Sequence, residues 1–320
     1  MADKSSFDSG SLPDASSSHV ARAIRGLGKT LVENANDCVP FPKFRQQRGL
    51  RPGIEHFLEI EEGEGTPVKI TCIDYGPGTL NRMAIHDLVE YLKAPRPKNI
   101  HVRWINIDGL NAHVVQKIQA HFDFHLLAAE DVMNPYERTK SQDYGNYLFM
   151  VFRQIMMCQK KWINEQVSIF LFDDTLLTFQ EVEGDLLEPV RDRLERDNSR
   201  FRNGKADYLM YAILDCIMDS YFPICEKYGQ SLDTLERSIT RNPKSSTRQH
   251  LFEMKRDLGV LRRQVTPMRD LLLALKQSQT PLIDDSVKLF LGDAYEHSVQ
   301  ILDVIEAYHD TSEALTDLFA

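Results

Sequence analysis

Four acidic positions in this sequence have the type and spacing to bind a cation. Glu130 and Asp131 are adjacent near the end of a short helical stretch, Asp215 sits inside the apolar run Ala212 to Met218, and Asp293 precedes His297 by four residues. Carboxylate oxygens suit a hard cation such as Mg2+, which keeps most of its waters and needs one or two direct protein oxygens. Each position also has a plainer reading. On spacing alone those plainer readings are favoured over a metal site: solvated acids for Glu130 and Asp131, an ion pair to a nearby Arg or Lys for Asp215, and a surface pair for Asp293 with His297. His121 and His125 stand four apart, a spacing that fits two zinc ligands on one helix face. They lack the H-E-x-x-H pattern and any nearby Cys, so core or surface histidines are the expectation. Tyr75-Gly76-Pro77-Gly78 lacks the phosphate-loop pattern and reads as a strand-to-helix turn. With no nucleophile–base pair and no phosphate loop, the sequence does not indicate an enzyme.

The chain that positions these residues has 320 residues and a formal charge of −9. Without a dense Lys/Arg run, that charge excludes a nucleic-acid binder and favours a cationic ligand. The five cysteines are scattered, with neither zinc spacing nor a disulfide framework, as expected of a reducing compartment. No leader pattern is present, and no apolar run approaches the roughly 20 residues that span a bilayer, so the chain as written is expected to be soluble.

Residues 1–52 are rich in Ser, Asp and Gly and then basic and Pro-punctuated, which reads as a flexible segment. Residues 53–184 read as an α/β (α+β) unit in which a mixed sheet is covered by helices. Strands are expected at Val68 to Ile73, His101 to Ile107, Tyr147 to Met156, Gln166 to Phe172 and Leu176 to Gln180, the last two joined by an Asp173-Asp174 turn. Helices are expected at Leu80 to Leu92, Asn111 to Phe122 and His125 to Met133. Residues 185–281 are helical. One unbroken series steps by three and four from Tyr211 to Ile239, Asn242-Pro243 ends it, and a second runs from Leu251 to Leu275 with Pro267 as a kink; the short connection makes the two antiparallel.

Residues 282–320 form the last element, a long helix with two faces. Leu291, Ala294, Ser298, Ile301, Ile305, Tyr308, Ser312, Leu315 and Phe319 make a close-packing seam, expected to meet identical helices at an oligomer axis. Glu296, Asp303, Asp310 and Asp317 recur every seven residues on a neighbouring stripe, with Glu306 and Glu313 one strip over. From Asp284 to Asp317 the only Lys or Arg is Lys288, so the acids lack the i+4 bases of an ordinary solvated helix.

Taken together, the chain from about Val102 to Ala320 resembles the cytoplasmic part of the CorA family of magnesium and cobalt channels. The carriers are Val102-Arg103-Trp104-Ile105-Asn106 with Asp108-Gly109-Leu110, then His125-Leu126-Leu127 leading to Ala129-Glu130-Asp131-Val132-Met133-Asn134. Further along stand Asn146-Tyr147-Leu148-Phe149, Glu165-Gln166-Val167-Ser168, Leu176-Leu177-Thr178-Phe179-Gln180-Glu181, the run Ala206-Asp207-Tyr208-Leu209-Met210-Tyr211 up to Asp215, and Asp293-Ala294-Tyr295-Glu296-His297.

The resemblance implies a funnel-shaped homopentamer at the cytoplasmic face of the inner membrane. Its regulatory sites for Mg2+, or Co2+, would pair Asp131 of one subunit with Asp293 of its neighbour. Glu130 and Asp215 would form the adjacent position, His297 would lie close by, and Asp317 would form an acidic ring near the pore mouth. The family's Gly-Met-Asn pore signature and both membrane spans do not occur in this sequence, so it reads as a piece ending before the first span. Zinc-transporting relatives share the same funnel, and a helical oligomerisation scaffold without transport is the alternative from another class.

Overall fold

The computed structural model describes residues 53–54, 67–135, 137–158, 161–181, 187–196, 200–241 and 245–318. The expectations for residues 1–52, for the stop at Asn242-Pro243 and for Phe319 lie outside them.

A seven-stranded sheet organises the first half. Its strands are β1 (Lys69–Gly76), β2 (Thr79–Ile85), β3 (Val102–Asp108), β4 (Lys140–Asp143), β5 (Leu148–Cys158), β6 (Lys161–Leu171) and β7 (Thr175–Gln180), in the order β2-β1-β3-β7-β6-β5-β4. Only β3 and β7 run parallel; the other pairs are antiparallel. β3 and β7 are buried along their whole length, because both faces of the sheet are covered. Alternate residues therefore serve different layers. Cys72, Ile105, Leu177, Phe170 and Phe149 face one way, under α1 (Leu88–Lys93), α2 (Ala112–Phe122) and α3 (Leu126–Met133). Ile73, Trp104, Leu176, Ile169 and Met150 face the other, under α4 (Glu188–Glu195), α5 (Ala206–Asp219), α6 (Phe222–Arg241), α7 (Ser245–Gln277) and α8 (Asp285–Asp317).

The expected helix from Leu80 to Leu92 is instead an edge strand followed by a six-residue helix. Gly76 pairs with Thr79, leaving Pro77-Gly78 as a tight turn with Gly78 at φ +75°, so Tyr75 to Gly78 closes a β-hairpin. Asp87 then caps α1 by accepting from Glu90 N at 3.0 Å. β2 faces solvent and carries no buried alternation to read. β4, the opposite edge, was missed for the same reason.

Gly109 ends β3 at φ +92°, and a Cβ there would lie 2.4 Å from the Pro67 carbonyl oxygen. Gly109→Ala is expected to destabilise the chain by about 1–3 kcal/mol, measured by urea unfolding, because both the backbone conformation and the contact reject a side chain.

The helical half also departs from expectation at one break and one partner. The series from Tyr211 to Ile239 divides at Ser220-Tyr221 into α5 and α6, since Pro223 has no N–H to continue a helix and is tolerated in a new first turn. Tyr221 is fully buried at this break, and its hydroxyl donates to the Arg153 carbonyl at 3.0 Å, pinning the junction to β5. α6 and α7 meet through Tyr228 and Asp257 at 2.9 Å, positions about equally far from the connector, as antiparallel partners should be. α7 runs through Pro267 as one helix.

α8 packs chiefly along α7. Lys276 meets Gly292, Arg262 meets Glu306 and Lys255 meets Glu313, so contacts descend one helix as they climb the other. The seam expected at an oligomer axis is consequently covered within the chain: Leu291, Ala294, Ser298, Ile301, Ile305, Ser312 and Leu315 are all buried against its own helices. Periodicity showed a buried face but could not name its partner. No described helix is long and apolar enough to cross a membrane.

Candidate metal centre

α5 and α8 lie side by side and run the same way, which decides which acids meet. At their starts the Asp207 carboxylate accepts from the Asp284 backbone N–H at 2.9 Å. One turn later Tyr208 and Tyr211 pack on Phe290. The next turns then bring Asp215 and Asp219 of α5, four residues apart, against His297 of α8.

Ligand atoms of Asp215, Asp219 and His297 all lie within 4.8 Å of one another. His297 Nδ1 is 3.8 Å from Asp215 and 3.6 Å from Asp219, beyond hydrogen-bonding reach; it is shielded from solvent and has no hydrogen-bond partner. Phe222 stands edge-on to the imidazole at 5.7 Å. Asp215 is the more buried carboxylate, and Arg193 lies 3.9 Å away, so the ion-pair reading of Asp215 holds in part. Burial, and then the charge of Asp219, raises the Asp215 pKa against the pull of His297 and Arg193. Burial also raises that of Asp219, again opposed by His297 and Arg193. Two carboxylates held short of charge compensation beside an unpartnered imidazole nitrogen fit a divalent cation.

Asp219 was not among the sequence candidates, although it follows Asp215 by the same four-residue step that links Asp293 to His297. Asp293 itself is exposed, one turn before His297, and its charge reaches Tyr211 and Asp219.

Glu130 and Asp131 are held elsewhere, on α3. Glu130 accepts from the Gly53 N–H at 2.8 Å. Asp131 lies 2.7 Å from Lys140, which also meets Glu137 at 3.0 Å. Burial, outweighing Lys140 and reinforced by Glu137, pushes the Asp131 carboxyl up to about 6. Gln166 Nε2 donates to the Asp131 carbonyl at 2.7 Å and fixes the backbone beneath it. Among the described residues, no ion pair or hydrogen bond joins these acids to Asp215 or Asp293 within one chain.

His121 and His125 do not share a helix face. His121 lies in the last turn of α2, Asp123 turns the chain at φ 51°, and His125 caps α3 with Nδ1 accepting from Leu127 N. The acidic stripe of α8 finds part of its missing compensation on α7, through Arg262–Glu306 at 3.0 Å and Lys255–Glu313 at 2.8 Å. Glu296, Asp303, Asp310 and Asp317 remain exposed. A second grouping of His309, Asp310 and Glu313 lies on this face, with Glu313 already held by Lys255.

Residues 99–320 match the family model for CorA-like Mg2+ transporter proteins. The cobalt/magnesium transport protein CorA of Thermotoga maritima is 34% identical over 219 residues, which are 68% of this chain and 62% of that protein's length. The soluble domain of CorA from Methanocaldococcus jannaschii superposes with a TM-score of 0.65 at 15% identity, over 78% of this chain and 95% of that one. The ZntB cytoplasmic domain of Vibrio parahaemolyticus gives 0.59 at 15% identity, over 79% and 96%. These two structures share the fold.

Proposed function

Because this chain belongs to the family of CorA-like Mg2+ transporter proteins, we propose that it is the cytoplasmic regulatory part of a divalent-cation channel for Mg2+, and also Co2+, and that it senses the cation at carboxylates between subunits. The observation that carries this reading is the convergence of Asp215, Asp219 and His297 beside the exposed Asp293. In the proposed homopentamer at the inner membrane, Asp131 of one copy faces Asp293 of the next, Glu130 lies near Asp215, and Asp317 contributes to an acidic ring at the pore mouth. Residues 53–184 then act as the sheet unit, 185–281 as its helical flank and 282–320 as the stalk.

The chain's own charges set the switch. Asp131, Asp215, Asp219 and Asp293 are all acids, so bringing two copies together without a cation costs Coulomb energy, most where carboxylates are half-buried. A bound divalent cation supplies the opposite charge. At 100 times its Kd each independent site contributes about 2.7 kcal/mol to the state that binds it, and several sites around a ring make the response steep. Occupied sites favour the closed pore, and falling internal Mg2+ releases it.

The test is a thermal melt under Mg2+ titration, with mass measured by light scattering in the same buffers. The expected result is a rise in melting temperature that Asp131→Ala and Asp293→Ala both abolish, with a mass near five chains. An assembled oligomer indifferent to Mg2+ would overturn the sensor and leave an oligomerisation scaffold. One observation favours a zinc-transporting relative as second reading: an imidazole nitrogen stands in the donor set, and zinc takes His with carboxylates. That reading predicts stabilisation by Zn2+ at far lower concentration than by Mg2+, and its loss in His297→Ala.

A further inference from the structure

Lys140 projects from the edge strand β4, and its ammonium sits between two carboxylates, 2.7 Å from Asp131 Oδ2 and 3.0 Å from Glu137 Oε1. The three side chains are only 16–27% exposed, so this is a half-buried charge cluster rather than a surface pair. The backbone at Asp131 and the carboxylate of Glu137 each have a further partner. Gln166 holds the Asp131 carbonyl, and Asn134 Nδ2 donates to the second oxygen of Glu137 at 3.2 Å. The base is the movable member, a point charge on a four-carbon stem and the most exposed of the three side chains at 27%.

We infer that Lys140 is a built-in competitor for the divalent cation at Asp131, and that its ion pair fixes the cation concentration at which this carboxylate changes partners. The inference rests on the reading of Asp131 as a cation ligand. An ammonium seated on a carboxylate supplies the charge that Asp131 otherwise seeks from a divalent ion, so the ion must displace Lys140 or share its acceptor. Displacement is feasible, because the lysine head can swing to solvent while the acids stay in place. Glu137 then stands as a second oxygen beside Asp131, available once the lysine leaves. Removing the lysine charge leaves two acids facing each other, a pair that gains more from a divalent cation than the native trio does.

The experiment is a Mg2+ titration at constant ionic strength, followed by thermal melting and light scattering, on the native chain, Lys140→Met, Lys140→Arg and Asp293→Ala. Methionine keeps the apolar stem and removes the charge. The Mg2+ midpoint is expected to fall about fivefold in Lys140→Met, the worth of one partly exposed ion pair, and to stay near native in Lys140→Arg. An unchanged or higher midpoint in Lys140→Met, while Asp293→Ala abolishes the native response, overturns the role of Lys140 and leaves the sensor standing. A native chain that ignores Mg2+ while Lys140→Met responds supports the competition. If neither responds, both readings fall. Lys140→Gln gives the same comparison if the methionine variant does not fold.

Discussion

Replacing Arg103 by methionine is expected to cost about 3–5 kcal/mol at neutral pH, one of the two largest single-residue effects expected here. Arg103 of β3 lies opposite Asp74 of β1, and its guanidinium donates to both carboxylate oxygens, at 2.7 and 2.6 Å. Tyr91 of α1 closes the site, donating to Asp74 at 2.9 Å with its ring 4.8 Å from the guanidinium. Both charged side chains are about 5% exposed. Without Arg103 the carboxylate is left buried with a phenol and no counter-charge. Removing both charges, as Arg103→Met with Asp74→Leu, should therefore recover much of the loss, because the desolvation cost disappears with the charge. Burial alone would raise the Asp74 pKa, but the hydrogen bonds and charge of Arg103, helped by Tyr91, hold it below its ordinary value. A depressed carboxyl pKa contributes stability above the unfolded-state value of about 3.9, and that contribution is lost as pH falls through the folded-state value. Urea unfolding of native and variant chains at pH 7 and pH 3 measures this directly. The gap between them should narrow at the acid end, and a gap independent of pH would show that the pair acts through packing alone.

Much of the fold was legible because buried strands and helices leave a period in the sequence. β3, β5, β6 and β7 carry apolar side chains for one or both layers, and the Asp173-Asp174 turn was readable from its residue types; Phe172 N donates to the Thr175 carbonyl across it at 2.9 Å. The edge strands β2 and β4 bury little and left no such trace. The Pro-Gly pair between β1 and β2 was the available signal for the first, and Pro223 for the division of α5 from α6. At the candidate site, the acids of α5 and α8 were visible as residue types, but their meeting depends on a parallel helix pairing that spacing within one helix does not encode. Asp131 was visible too, whereas its partner Lys140 lies nine residues on, in the unrecognised β4.

The seam of α8 shows most clearly what periodicity leaves open. Steps of three and four mark a face that must be covered, yet a helix of the same chain and a helix of another copy satisfy the pattern equally well. The two coverings predict different losses, which makes Ile301→Ala informative. Ile301 is 1% exposed and belongs to the core shared with Leu261, Val265 and Leu272 of α7. Truncation there should cost about 2–5 kcal/mol, as removing a large aliphatic side chain from a packed core does. Because the cover comes from the same chain, the loss should appear in urea unfolding at protein concentrations where light scattering finds a monomer, and it should not grow with dilution. Leu289, on the same helix and 78% exposed, is the matched control, with Leu289→Ala expected to change monomer stability by less than about 0.5 kcal/mol. If Ile301→Ala left the monomer unchanged and weakened only an assembled form, the seam would belong between copies after all, and the pairing of α7 with α8 would not be the one that stabilises the free chain.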